Sequence, residues 1–117
     1  MEKTVLIIGG AFQDKLKVAL EYSQLTMADV AENPHENKKI INNFQNYFKN
    51  NMDEEGLLEK CRGKIVIADE VGCGIIPLDK SNRVYREALG RFLCDLAAIS
   101  DTVIRVTAGI GQFIKGE

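Results

Sequence analysis

The chain has 117 residues, enough for one domain around one core and hardly for two. Its 45% apolar and 27% charged residues are the balance of a soluble globular protein rather than a disordered one. With 15 basic and 17 acidic residues the net charge is −2, so no strong global field recruits nucleic acid or an anionic membrane, and no apolar stretch approaches the ~20 residues that span a bilayer.

The opening "MEKTVLII" runs straight into a strand-like segment, and signal-peptide architecture is not expected there. Cys61, Cys73 and Cys94 are odd in number and form no close pair, which points to neither a CxxC metal site nor a disulfide framework. A cytoplasmic protein with reduced thiols is expected, as a single α/β domain over 1–117.

In chain order, "TVLII" (4–8) is the first buried strand, short and β-branched. A glycine-bearing loop, "GGAFQDKL" (9–16), follows it. Leu16, Ala19, Leu20 and Ser23 then fall at helical spacing. The least readable region is 25–62, where "AENPHENKK" reads as a polar loop. Ile40, Ile41, Phe44, Tyr47 and Phe48 share one side of a helix predicted over 38–51. "KIVIAD" (64–69) is the second strand. A long helix follows, with Ser81 as its N-cap and a stripe of Tyr85, Ala88, Leu89, Phe92, Leu93 and Leu96. "TVIRVT" (102–107) is the third strand, and "AGIGQFIKGE" turns around Gly109 and Gly111 into an antiparallel edge strand, "QFIK". Strands alternating with helices imply βαβ units and a mostly parallel sheet with flanking helices.

Ligands of such sheets bind beyond the carboxyl ends of the strands, where "GGAFQDKL", "DEVGCGIIP" and "TAGIG" all arrive. The first loop has the frame of a Walker A motif, with Gly9 opening it and Lys15 at the lysine position. Asp14 replaces its second glycine and Leu16 its magnesium-binding hydroxyl. The candidate nucleotide-binding residues are Gly9, Gly10, Ala11, Phe12, Gln13, Asp14, Lys15 and Leu16. A carboxylate about 4 Å from a phosphate charge, at an effective dielectric near 20, costs on the order of 4 kcal/mol if unpaired. Lys15 serves either the phosphate or its neighbour Asp14. Asp69 and Glu70 are the candidate catalytic carboxylates, able to hold Mg²⁺ or take a proton from an attacking hydroxyl, or else a solvated pair or a cap on the "VGCG" turn. His35, the single histidine, offers a nucleophile, general base or cobalt ligand, but no Cys, Asp or second His stands beside it; a solvent-exposed loop histidine is the plainer reading. Cys73 lies in the "GCG" turn with nothing around it to lower a thiol pKa. No metal-binding set is assigned.

With these residues in view, the sequence resembles the adenosylcobinamide kinase/adenosylcobinamide-phosphate guanylyltransferase family of cobalamin biosynthesis, as a short, divergent member. The resemblance rests on Glu70, Val71, Gly72, Gly74, Ile75, Pro77, Arg86, Gly90, Arg91, Gly109, Ile110 and Gly111, with Gly9, Gly10, Ala11 and Lys15 matching the family's phosphate loop. It implies a reduced P-loop NTPase-like (RecA-like) sheet and transfer of a phosphoryl group or GMP to a corrinoid side chain. GTP or ATP would be the donor, with Mg²⁺. Family members carry extra strands before the Glu-Val-Gly segment, and 25–62 is too short for all of them. The resemblance therefore implies a half-sheet whose open edge is covered by the 38–51 helix or by another copy, so a homo-oligomer is expected. A non-catalytic nucleotide- or corrinoid-binding protein is the alternative, favoured by Asp14 and Leu16.

Overall fold

Strongly apolar runs become the centre of the sheet. In the computed structural model, which describes the backbone of residues 2–70 and 80–116, they form β1 (Val5–Gly9), β4 (Ile65–Asp69) and β5 (Thr102–Thr107). Between β1 and β4 lie β2 (Val30–Ala31) and β3 (Ile40–Ile41), and the chain ends in β6 (Ile110–Lys115). The helices are α1 (Lys15–Ser23), α2 (Phe44–Lys49), α3 (Leu57–Lys60) and α4 (Lys80–Ile99), with a 3-10 turn at Met27–Asp29. The sheet order is β2-β3-β4-β1-β5-β6, parallel throughout except for β6. This is the expected α/β architecture, with an antiparallel edge strand.

Alternation along the strands separates two cores. Leu6, Val66, Ala68 and Val103 pack against α2, α3 and α4, while Val5, Ile7, Ile65, Ile67, Ile104 and Val106 pack against α1. Side chains at odd and even strand positions thus meet different helices, which is why these strands are apolar on both faces. On the α4 side, Phe44 stacks on Phe92 at 5.3 Å between ring centroids, and Phe48 closes on Phe92 at 5.2 Å.

Four expectations are corrected. Ile40 and Ile41 are not helical: they form β3, pairing with Ile65 and Val66, and the helix starts only at Phe44. Asn43 adopts φ 52°, a left-handed conformation that asparagine tolerates, and so separates strand from helix. The sheet is not halved at β4, because the 25–62 segment adds two short strands, and α2 packs on the sheet face rather than its edge. The apolar stripe of this segment is filled from within: Ile40, Ile41, Phe44 and Phe48 are all buried. Ser81 lies inside the first turn of α4, which begins at Lys80.

The final turn is tighter than expected. Thr107 pairs with Ile110 across Ala108 and Gly109, both at positive φ, the two-residue form that matches strand twist. Gly111 belongs to β6 itself. The register then slips between Val103 and Ile104, a bulge that lets Lys115 reach the carbonyls of Ala97 and Ala98 at the end of α4.

Phe44→Ala empties the centre of the aromatic cluster and should cost about 3 kcal/mol or more in denaturant unfolding. A loss under about 1 kcal/mol would mean that α2 does not anchor this face.

Candidate functional site

The end of β1 is glycine for a steric reason: a Cβ on Gly9 would lie 2.5 Å from the carbonyl oxygen of Val106 on β5. Beyond it the loop is fixed at several points. Lys15, only 8% exposed, donates from Nζ to the Gly10 carbonyl at 2.6 Å and pairs with Asp69 Oδ1 at 2.9 Å. Gln13 binds the β5–β6 turn twice, its side-chain carbonyl accepting from the Ala108 N–H and its backbone carbonyl from the Gly109 N–H at 3.2 Å. Between these anchors Phe12 and Asp14 both take φ 62°, and Phe12 is fully exposed. Asp14 stands at the α1 N-cap without a side-chain capping bond. Leu16 packs against the α1-side core.

Lys15 therefore pairs with Asp69 rather than with its neighbour Asp14. Asp69 and Glu70, adjacent in sequence, leave the strand on opposite faces. Asp69 continues the side of Ile65 and Ile67 and meets Lys15 of α1. Glu70 lies on the α4 side, where Arg105 Nη2 and Nε meet its Oε2 at 3.0 and 3.2 Å. Glu70 remains at the loop's root, its N–H donating to the Gly9 carbonyl at 2.7 Å. The Asp69 N–H donates to the side-chain oxygen of Gln45 at 3.0 Å, and Tyr85 donates to the Gln45 backbone carbonyl at 3.1 Å. Burial, reinforced by Asp69, raises the Tyr85 phenol above its ordinary value.

The carboxyl edge thus gathers the 9–16 loop, Asp69, Glu70, Arg105 and the 107–110 turn. Val71, Gly72, Cys73, Gly74, Ile75 and Pro77 lie outside the described residues. Among the described residues no three His, Cys, Asp or Glu side chains converge as a metal cluster. A single carboxylate at this edge nevertheless suits Mg²⁺ when nucleotide phosphates supply further oxygens.

His35 has a partner that the sequence did not disclose. Its Nε2 is 2.8 Å from Glu54 Oε2, and Tyr47 donates a short hydrogen bond to Glu54 Oε1. The Tyr47 bond is the leading cause that holds the Glu54 carboxyl below its ordinary value, with His35 adding to it. Burial first, then the Glu54 bond, pushes Tyr47 up to about 12. Cys61 is buried, and burial likewise pushes its thiol up to about 12, the opposite of an activated cysteine. Among the residues missed by sequence reasoning, only Arg105 left a signal: a charge interrupts an apolar strand two positions before its end. Gln45 and Glu54 left none.

The sequence pattern of the cobinamide kinase / cobinamide phosphate guanyltransferase family matches residues 25–114, which include Asp69, Glu70 and Arg105 but not the 9–16 loop. The bifunctional adenosylcobalamin biosynthesis protein CobU of Salmonella typhimurium is 41% identical over 58 residues, covering 49% of this chain and 32% of that protein. The protein of the same name from Escherichia coli is 40% identical over 58 residues, with the same coverage. The matched stretch is thus about a third of the length of these curated relatives. No helix among the described residues is long and apolar enough to cross a membrane.

Because folding lowers the Glu54 pKa, the stability it contributes is present above the unfolded value and lost as pH falls through the folded one. Tyr47→Phe removes the leading cause, so its melting temperature should drop less than the wild type's between about pH 6 and pH 3. Parallel curves would show that the Tyr47–Glu54 bond does not carry this acid sensitivity.

Proposed function

Because the chain belongs to the cobinamide kinase / cobinamide phosphate guanyltransferase family, we propose that it works in cytoplasmic cobalamin biosynthesis, transferring a phosphoryl group or GMP from GTP or ATP to the side chain of a cobinamide-like corrinoid. The supporting observation is the convergence of the 9–16 loop with two carboxylates at one sheet edge, Asp69 paired with Lys15 at the start of the loop's helix and Glu70 at the loop's root. The loop backbone from Gly9 to Leu16 would cradle the phosphates. In phosphoryl transfer, Glu70 would take the proton of the corrinoid hydroxyl as its oxygen bonds to the γ-phosphorus, and the bond to the nucleoside diphosphate breaks. Asp69, held toward α1, is the second carboxylate of the site and the closer one to Lys15. Mg²⁺, bound by one of these carboxylates and the nucleotide, would neutralise phosphate charge.

A second reading, a non-catalytic nucleotide- or corrinoid-binding protein, is favoured by one observation: Lys15 is already committed to Gly10 and Asp69. Calorimetric titration with GTP, ATP and cobinamide, each with and without Mg²⁺, separates the readings when followed by a kinase assay. The transferase reading expects Mg²⁺-dependent nucleotide binding and phosphorylated cobinamide. Glu70→Gln should lower turnover by about two orders of magnitude, in the range of a lost general base, with a stability change under about 1 kcal/mol. Binding without turnover would favour the second reading, and intact turnover with a large stability loss would make Glu70 structural.

The proposal includes self-association. The outermost strand β6 carries Ile110, Phe113 and Ile114, all substantially exposed on an edge with unpaired backbone groups. Sedimentation should give a dimer or larger at high micromolar concentration, and a monomer there would overturn this part.

A further inference from the structure

Of Lys15 and Arg105, the cation at the Walker position is the less available. Lys15 is 8% exposed, and its ammonium is engaged by the Gly10 carbonyl and by Asp69. Turning it outward would leave a carboxylate and a carbonyl without their donor in a partly buried setting, which is costly. Arg105 differs on each count. Its side chain is 47% exposed, it stands two residues from the end of β5, and its partner Glu70 is bonded to Gly9 at the root of the loop. Both of its contacts fall on a single oxygen, Glu70 Oε2, so the Nη1 side of the guanidinium is not spent on this pair. A guanidinium presents a planar fork that suits phosphate oxygens better than an ammonium does.

We propose that Arg105, and not Lys15, is the residue that meets the ligand's phosphates at this edge, and that it does so by exchanging Glu70 for the phosphate. This rests on the nucleotide reading above and adds to it a residue and an order of events. In the ligand-free protein Arg105 and Glu70 neutralise one another. An arriving polyphosphate competes with the carboxylate for the guanidinium, and the exchange releases the Glu70 carboxylate beside the newly bound phosphates. Lys15 keeps its inward bonds and holds the loop in shape. Glu70 is thus a competitor of the anion in binding, although it serves the later step.

The test is calorimetry with inorganic tripolyphosphate and with GTP, both without Mg²⁺, on wild type, Arg105→Leu, Arg105→Lys, Glu70→Gln, Lys15→Met and the Arg105→Leu/Glu70→Gln double variant. Arg105→Leu should weaken tripolyphosphate binding about tenfold or more, with Arg105→Lys between it and wild type. Glu70→Gln should tighten binding several-fold, roughly three to ten, and that gain should vanish in the double variant. Lys15→Met should act chiefly on melting temperature. A Glu70→Gln gain that persists without Arg105 would show general charge repulsion and overturn the exchange. A loss confined to Lys15→Met would overturn the assignment to Arg105 and leave the nucleotide reading standing, as would GTP binding without tripolyphosphate binding. Wild-type protein that binds neither ligand overturns both. The Arg105 and Glu70 variants alter partly exposed side chains, so the cycle between them decides the matter even if Lys15→Met does not fold.

Discussion

Lys15 is the constraint on which the carboxyl edge depends. One ammonium joins the Gly10 carbonyl to Asp69, and so ties the first loop, the start of α1 and the end of β4 into one unit. A charge this well buried is tolerable only because both contacts are short and one partner is anionic. With Lys15 held inward and Gln13 clamped to the 108–109 turn, the residues between have little freedom. Phe12 and Asp14 are left in left-handed conformations that cost non-glycine residues on the order of 1–3 kcal/mol each. The anchors at either end offset that strain.

The second determinant is the period of a strand. Because side chains alternate, adjacent residues at the end of β4 serve opposite faces: Asp69 belongs to α1 and the loop, Glu70 to α4 and Arg105. The dipeptide that looks like one acidic pair in sequence is two separate ion pairs in space. They meet through the backbone rather than through their carboxylates, since the Glu70 N–H reaches Gly9 and Lys15 reaches Gly10.

Legibility in the sequence followed element length. β1, β4 and β5 are continuous β-branched runs, and α4 carries its stripe from Tyr85 to Leu96, about three turns, so pattern alone identified them. The mostly parallel sheet followed from strands alternating with helices, and the antiparallel last strand from the glycine turn at 109–111. The 38–51 segment misled because Ile40, Ile41, Phe44, Tyr47 and Phe48 satisfy helical spacing whether or not the first two are helical. Two-residue strands such as β2 and β3 are shorter than any period and are set by pairing with β4, which local pattern does not contain. The meeting of the first and last glycine loops with the 69–70 dipeptide at one edge was legible, since each follows a strand read from its pattern. The side-chain pairings were not, because Lys15–Asp69, Arg105–Glu70 and His35–Glu54 each join residues far apart in the chain.

The departures of the first loop have a packing logic. The matched family region begins at residue 25, so β1, the loop and α1 lie outside it, while Glu70, Arg105 and the 107–110 turn lie within. Where a phosphate loop would carry a hydroxyl, Leu16 adds its side chain to the α1-side core beside Val18 and Leu20. On a helix of nine residues that contribution is a sizeable part of what holds it down, of the order of 1.5–3 kcal/mol for a fully buried leucine and less for one partly buried. Lys15 adds its ion pair on the same helix. Residues that would be ligands in a phosphate loop therefore secure α1 to the sheet. A change that frees Lys15 for an anion also loosens the α1 face, so the loop cannot gain affinity at that position without losing its anchor.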